Sequence, residues 1–197
     1  MVHEIFADNV LYELDCPDDS LKDSVFTGAV SVNGVKAAYI HLDKTKRMGT
    51  VGSSEGEKIT SAFEYATQNR LPVISVVASG GMRVTEGTLA LVQMIKMSAA
   101  VKRHSDRGLL YVSIITNPTL GGASASFVSL ADVIIAEKKA VYGFSGRRII
   151  EATTHEALPD DFQTAEYAKC HGMVDIIAEK YEIKPIVARL LKIHVAG

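Results

Sequence analysis

Two glycine pairs are the residues on which chemistry would turn. In VVASGGMRVTEG an apolar run of β type ends at Gly80-Gly81, just ahead of a helical pattern. In IITNPTLGGASASF a second run ends at Gly121-Gly122, again at a helix start. Glycine lets backbone approach a ligand closely and adopt conformations closed to other residues. A helix start presents N–H groups without intrahelical acceptors, together with the positive end of the dipole. Two such loops meeting across a sheet edge would aim two amides at one developing oxyanion. The enolate of a thioester is such an oxyanion, and preorganised dipoles are often the largest catalytic term for it. One glycine pair alone also serves merely to turn a corner. The recurrence points to chemistry, although spacing by itself does not say that the loops meet.

Other motifs fail on inspection. GSSEGEKIT lacks the G-x-x-x-x-G-K-[ST] phosphate loop, and no strand-linked G-x-G-x-x-G is present. Gly122-Ala123-Ser124-Ala125-Ser126 falls short of a nucleophile elbow, with Ser126 where the last glycine belongs. Ser124 and Ser126 therefore read as small helix-packing residues. The six histidines are scattered without H-E-x-x-H. His104, two residues before Asp106, reads as a solvated helix end, and neither His155 nor His171 is given a role. Lys44, Lys46 and Arg47 read as a solvated loop cluster. Arg83, Arg147 and Arg148 lie next to the glycine loops or their flanks, where they are candidates to hold phosphates or a partner. Arginine suits bidentate phosphate contacts.

The elements that would position these loops alternate between strand and helix. Residues 25–32 and 35–42 flank Asn33-Gly34, a dipeptide fitted to the tight type I′ turn of a β-hairpin. Residues 44–58 read as a loop, with Ser53 or Ser54 as the cap of a helix over 55–69. Ile59, Ala62, Phe63 and Ala66 make one apolar stripe on that helix, with Glu57, Ser61, Glu64 and Gln68 outside. Residues 73–78 are a β-branched strand of the kind covered on both faces. A second helix over 85–107 has a polar stripe of Gln93, Lys96, Arg103 and Arg107. It is apolar over so much of its remaining surface that it must be buried, in the core or against another subunit.

The pattern continues with a strand at 110–116, a turn at Asn117-Pro118 and a helix at 123–130. Short strands follow at 133–136 and 140–142, helices at 147–153 and 164–169, and a strand at 173–178. A terminal helix over 184–194 carries Pro185 in its first turn. Strands alternating with helices imply a layered α/β domain.

Composition sets the outer bounds. At 197 residues, 47% of them hydrophobic and 22% charged, the chain is long enough for one domain with a proper core and is not a disordered sequence. Its net charge of −2 offers no footprint for nucleic acid or an anionic membrane. The two cysteines, Cys16 and Cys170, form no C-x-x-C pair, which excludes a zinc ribbon and implies no metal. They are read as reduced, with a disulfide between them the other option. The N-terminal stretch shows no secretion signal, and no apolar run reaches the ~20 residues of a membrane span, so the expectation is a soluble cytoplasmic protein. Residues 1–24, with Asp15, Asp18, Asp19 and Asp23, read as an irregular lead-in or an arm on a partner, and 25–197 as the domain.

Across these motifs the chain resembles a known family. VVASGGMRVTEGTLALVQMIKMSAA, GLLYVSIITNPTLGGASASFVSLADVIIAEKKAVYGFSGRRIIEAT and LPDDFQTAEYAKCHGMVDIIA are similar to the β subunit of the acetyl-CoA carboxylase carboxyltransferase. GTVGSSEGEKIT resembles the segment that precedes them there. The resemblance runs from about residue 25 to 191. It implies a crotonase-like spiral of stacked β-β-α units working beside a related α-type subunit, with biotin brought by a carrier protein. In that family carboxybiotin releases CO2, the biotin anion takes a proton from the acyl-CoA methyl, and the enolate captures CO2 to give a malonyl-type product. The base comes from the cofactor, which agrees with the lack of an evident His or carboxylate base here. Carried over by position, Gly80, Gly81, Gly121 and Gly122 are the oxyanion-loop residues, with Arg83 beside the first loop.

There are departures. The four-cysteine zinc ribbon of the bacterial β subunit has no counterpart in this sequence. The family's SGGAR is Ser79-Gly80-Gly81-Met82-Arg83, and its GFAGPR is Gly143-Phe144-Ser145-Gly146-Arg147-Arg148. A glycine-rich stretch has become Lys46-Arg47-Met48-Gly49-Thr50. These changes leave room for a specialised paralogue acting on an acyl-CoA or acyl-carrier-protein thioester. They also leave room for a biotin-independent malonyl-thioester decarboxylase or a non-catalytic scaffold. The apolar second helix implies an oligomer in every case.

Overall fold

The computed structural model describes residues 5–14 and 24–196. One seven-stranded sheet has its strands in chain order. β1 (Val10–Glu13), β2 (Val25–Val32) and β3 (Val35–Leu42) are antiparallel, and β4 (Val73–Ser79), β5 (Tyr111–Thr119), β6 (Val133–Glu137) and β7 (Ile176–Ala178) continue from β3 in parallel. The helices are α1 (Ser53–Gln68), α2 (Thr88–Ser105), α3 (Gly121–Ala125), α4 (Arg147–Thr154), α5 (Ala165–Cys170) and α6 (Lys180–Ala196). This is the crotonase-like α/β architecture, opening with the β2–β3 hairpin and α1. Among the described residues no helix is long and apolar enough to cross a membrane.

The hairpin turns at Asn33 (φ 48°) and Gly34 (φ 82°), the two positive-φ residues of the expected turn. Along β4, Val73 and Val77 join the core under α1 and α2, whereas Ile74 and Val76 join the core under α6. Successive side chains of a strand point to opposite faces, so a continuous β-branched run is what a doubly covered strand requires. On α1, Ile59, Ala62, Phe63 and Ala66 are all buried, at about 1.5–3 kcal/mol for each fully buried large side chain.

Several boundaries differ from the sequence reading. The cap of α1 is Gly52, not Ser53 or Ser54. The Gly52 N–H donates to Glu55 (3.0 Å) and the Ser53 N–H donates to Glu86 (2.6 Å), so carboxylates satisfy the first turn. Asn117-Pro118 makes no turn; it is a cis peptide within β5. α6 starts a turn earlier than expected, which puts Pro185 inside it. Val10–Glu13, read as irregular, pairs with β2, and Ile5 and Phe6 are buried. Cys16 and the Asp15–Asp23 acidic cluster lie outside the described residues, while Cys170 is exposed.

The largest correction concerns α2. Its buried face is Ala90, Gln93, Met97, Ala100, Val101 and His104, a stripe of mixed size and polarity against α1. Gln93, assigned to the polar stripe, is therefore inside. Leu89, Leu91, Val92 and Ile95 are exposed at 65, 56, 49 and 72%. Gly56 of α1 makes room for Gln93, since a Cβ there would lie 2.4 Å from the Gln93 amide oxygen. Lys96 and Arg103 of the polar stripe pair with Glu57 and Glu64 of α1. His104, read as solvated, is fully buried, packs on the Phe63 ring and shares a hydrogen bond with the Leu71 carbonyl (3.0 Å).

Candidate functional site

Both glycine loops follow parallel strands at their carboxyl ends, where an open α/β sheet leaves a crevice. β4 and β5 are neighbours, so the loops leave the sheet side by side. They meet. A Cβ placed on Gly81 would lie 3.1 Å from the Gly121 Cα and 3.3 Å from the Gly122 nitrogen. Gly81 and Gly121 both have positive φ, 104° and 63°, so backbone conformation and proximity alike require glycine there.

Following each N–H outward separates structural amides from free ones. The Gly80 N–H donates to the Met48 carbonyl (2.9 Å), and the Gly81 N–H donates to Ser79 Oγ (3.0 Å). Ser79 Oγ in turn donates to the Gly49 carbonyl (2.7 Å). The Gly121 N–H donates to the Phe144 carbonyl (2.7 Å). Three of the four glycines singled out in the sequence thus have their amides committed to the loops' own architecture. Gly122 differs. It is the second residue of α3, and among the described residues its N–H has no acceptor.

The second free amide belongs to Met82, which the sequence reading passed over. The Gly81 carbonyl accepts from the Val51 N–H (2.9 Å), and the Arg83 N–H donates to the Val51 carbonyl (2.8 Å). The Gly81 C=O and the Met82 N–H are opposite ends of one trans peptide plane. With the carbonyl tied to Val51, the Met82 N–H points away from residue 51, toward the side on which the 119–122 segment leaves β5. It too has no acceptor among the described residues. The Met82 side chain reaches the same place, since a Cβ on Gly122 would lie 2.9 Å from the Met82 sulfur. The sequence signal for Met82 was its place directly after a glycine pair at a strand end.

The three arginines read as candidates to hold phosphates or a partner are placed differently from one another. Arg83 is buried, with an ion pair to Glu55, another to Glu86 (2.7 Å) and a hydrogen bond to the Thr50 carbonyl (2.9 Å). Its guanidinium is turned inward. Burial alone would raise the Glu55 carboxyl pKa, but the Arg83 guanidinium and nearby backbone N–H groups more than offset it, leaving it below the usual range. Arg147 donates to Glu151 (3.2 Å) and to the carbonyls of Leu158 (3.0 Å), Pro159 and Asp160 (3.3 Å), which pins the 158–160 segment. Arg148 alone of the three is exposed and has no partner among the described residues.

Ser124 and Ser126 behave as packing residues. Ser124 donates its hydroxyl to the Gly121 (2.7 Å) and Gly143 (2.6 Å) carbonyls, and Ser126 to the Gly122 carbonyl (2.6 Å). Ser124 thereby fastens α3 to Gly143, whereas Ser126 bonds back onto α3. Beyond Phe144 a cleft of about 500 Å³ opens, walled by Phe144, Ile150, Phe162, Tyr167 and Met173. Where a side chain placed on Gly80, Gly81, Gly121 or Gly122 would fall, the nearest atoms belong to backbone, Thr50 or methionine, and none to a titratable group. Among the described residues no three His, Cys, Asp or Glu side chains gather as a metal site. The arrangement can hold and polarise an oxyanion.

The fold and the paired loops define a crotonase-like domain. Residues 3–180 match the carboxyl transferase domain family, and the chain belongs to that family. Among solved structures it is similar to transcarboxylase 12S with hydrolyzed methylmalonyl-coenzyme A bound, a hexameric multienzyme core. The match is at 30% identity and TM-score 0.79, over 85% of this chain and 34% of that one. A Pseudomonas malonate decarboxylase hetero-tetramer in complex with malonate matches at 20% identity and TM-score 0.84, over 96% of this chain and 79% of that one. The β subunit of P. aeruginosa geranyl-CoA carboxylase matches at 19% and 0.77, over 88% and 33%. The chain thus spans about a third of transcarboxylase 12S.

Proposed function

We propose that this chain is the enolate-stabilising subunit of a biotin-dependent acyl-CoA carboxylase, of the acetyl-CoA carboxylase β type, forming a malonyl-type product. One observation carries the reading: where the two glycine loops touch, the Met82 and Gly122 amides are both without acceptors among the described residues. Paired N–H groups of this kind fit the oxygen of a thioester whose α-carbon is losing a proton or a carboxylate. Their attraction for that oxygen grows as negative charge develops on it, so they lower the barrier more than they tighten ground-state binding. Biotin borne on a carrier protein would supply the carboxyl group and, once stripped of it, a base. This chain's own part is to bind the thioester carbonyl, hold the enolate oxygen and keep the reacting carbon at the mouth of α3.

An α-type subunit completes the proposed assembly, and the exposed Leu89–Ile95 face of α2 supports a partner there. Acyl-CoA or acyl-carrier-protein thioesters are the substrate class. Fatty acid biosynthesis is the setting this chemistry suits.

A second reading runs the same hole in the other direction, as a biotin-independent malonyl-thioester decarboxylase. What favours it is the likeness to the malonate decarboxylase in complex with malonate, at TM-score 0.84 over 96% of this chain.

The deciding experiment is incubation of the purified protein with malonyl-CoA, with and without a biotinylated carrier, following acetyl-CoA release. Release only with biotin is the expected result. Release without it selects the decarboxylase. Silence in both tubes, repeated with an α-type subunit, would leave a non-catalytic scaffold.

A further inference from the structure

The buried ion pairs behind the first glycine loop are arranged as a brace. Arg83 directly follows Met82 in the chain, and its guanidinium reaches Glu55, Glu86 and the Thr50 carbonyl. Glu55 has no exposed side-chain surface and also accepts from the Gly52 N–H (3.0 Å) and from Ser24 Oγ (3.3 Å). Glu86 accepts from the Ser53 N–H (2.6 Å). The network therefore joins the start of α1, the segment at Thr50–Gly52 and the start of β2 to the residue beside Met82.

This matters because none of the described residues accepts from the Met82 N–H directly. Its direction is set by the peptide plane it shares with the Gly81 carbonyl, and that plane is tied through the Val51 N–H. Val51 sits between Thr50 and Gly52, the two residues that the network grips. A charge-assisted pair in a place without water keeps its geometry better than neutral contacts would.

We propose that Glu55 is a positioning residue: through Arg83 it fixes residues 50–52 against 81–83 and so keeps the Met82 N–H aimed to the side of Gly122. The inference rests on the reading that these two amides hold an oxyanion. It adds a distant carboxylate to the parts on which turnover depends. Glu55 touches no substrate in this scheme; it acts on the amide through the backbone.

Glu55→Gln removes the charge and keeps the shape. Turnover of malonyl-CoA under whichever condition supports it should drop about 10- to 100-fold in kcat, with KM within about twofold, because a misaimed donor is missed chiefly in the transition state. Glu86→Gln, on the more exposed arm of the same network, should give a smaller loss of the same kind and serves if Glu55→Gln does not fold. Combining Glu55→Gln with Met82→Pro separates positioning from general damage. With the amide gone, the Glu55 change should cost nothing further, whereas a purely structural role would add in full.

Amide hydrogen exchange in the full chain tests the brace without reference to activity. Arg83 and Val51 should exchange at least about tenfold faster in Glu55→Gln while Gly121 is unchanged, the signature of local opening. Wild-type turnover with an unchanged Glu55→Gln kcat, or uniform exchange across both loops, overturns the inference and leaves the functional reading standing. A wild-type chain inactive in every arm overturns the reading, and with it any catalytic consequence of the brace, even where exchange shows the local opening.

Discussion

Gly81 and Gly121 touch backbone to backbone: a methyl group on Gly121 would lie 3.0 Å from the Gly81 Cα, and one on Gly81 would lie 3.1 Å from the Gly121 Cα. Each also has a positive φ. Gly81→Ala and Gly121→Ala are each expected to cost about 1–3 kcal/mol, from backbone strain and the forced separation of the loops. Because the two changes push on one contact, the double variant should depart from additivity by at least about 0.5 kcal/mol. Urea denaturation of the four proteins measures both quantities.

Met82→Pro removes a single N–H that has no acceptor among the described residues and leaves the Gly81 carbonyl free to accept from Val51. Losing the Met82 side chain, which packs against the core, should lower stability modestly, while turnover should fall by about 10²–10³ if this amide is an oxyanion donor. Unchanged turnover with an intact melting temperature would remove Met82 from the site. Gly122 is a poorer probe, because a Cβ there already meets the Met82 and Met94 sulfurs at 2.9 and 2.8 Å.

Much of the framework around this candidate site is legible in the sequence. The strands ending at Gly80 and Gly121 announce themselves by β-branched runs that stop at glycine pairs. The α1 stripe of Ile59, Ala62, Phe63 and Ala66 is buried as its period requires. What the sequence hid was which amides were free. Whether the Gly81 N–H is used depends on Ser79 Oγ, two residues away, and the Gly121 N–H depends on Phe144, more than twenty residues away. A helical wheel likewise ranks α2 by hydrophobicity, whereas the fit against α1 decides: Gly56 leaves room for Gln93, which goes in, and Ile95 stays out. Arg83 looked like a phosphate ligand because its two carboxylate partners lie across a loop and a turn.

Acid should weaken the fold in two stages. Burial holds the His104 imidazole pKa below its ordinary value, with the Leu71 carbonyl only partly opposing. A depressed pKa means that its stabilising contribution is complete above the unfolded value of about 6.5 and is lost as pH falls toward the folded value. Glu55 is also depressed, so its contribution is complete above about 4.3 and disappears at lower pH. His104→Gln should flatten the melting temperature just below pH 6.5, and Glu55→Gln should flatten it only in the more acidic range. If either variant tracks the wild-type slope through its own window, that assignment is wrong.

The outer face of α2 supplies the remaining prediction. Leu89, Leu91, Val92 and Ile95 are all at least 49% exposed, and Val84, at the end of the Arg83 turn, is 90% exposed. A side chain of this size gains about 1.5–3 kcal/mol when fully covered, so a partner covering four or five of them has a substantial driving force before polar contacts are counted. The chain should therefore associate in solution, with copies of itself or with the proposed α-type subunit, and elute above its 21.2 kDa mass. Ile95→Lys places a charge in the middle of that face and should weaken association at least about tenfold, as burial of an unpaired charge at an interface centre does. Val84 lies two residues from Met82, so the proposed partner seat adjoins the free amide. Loss of association should then lower turnover in parallel, and restoring protein concentration should restore both. A wild-type chain that stays monomeric with every candidate subunit, measured by light scattering, would leave this apolar face without the partner that its exposure requires.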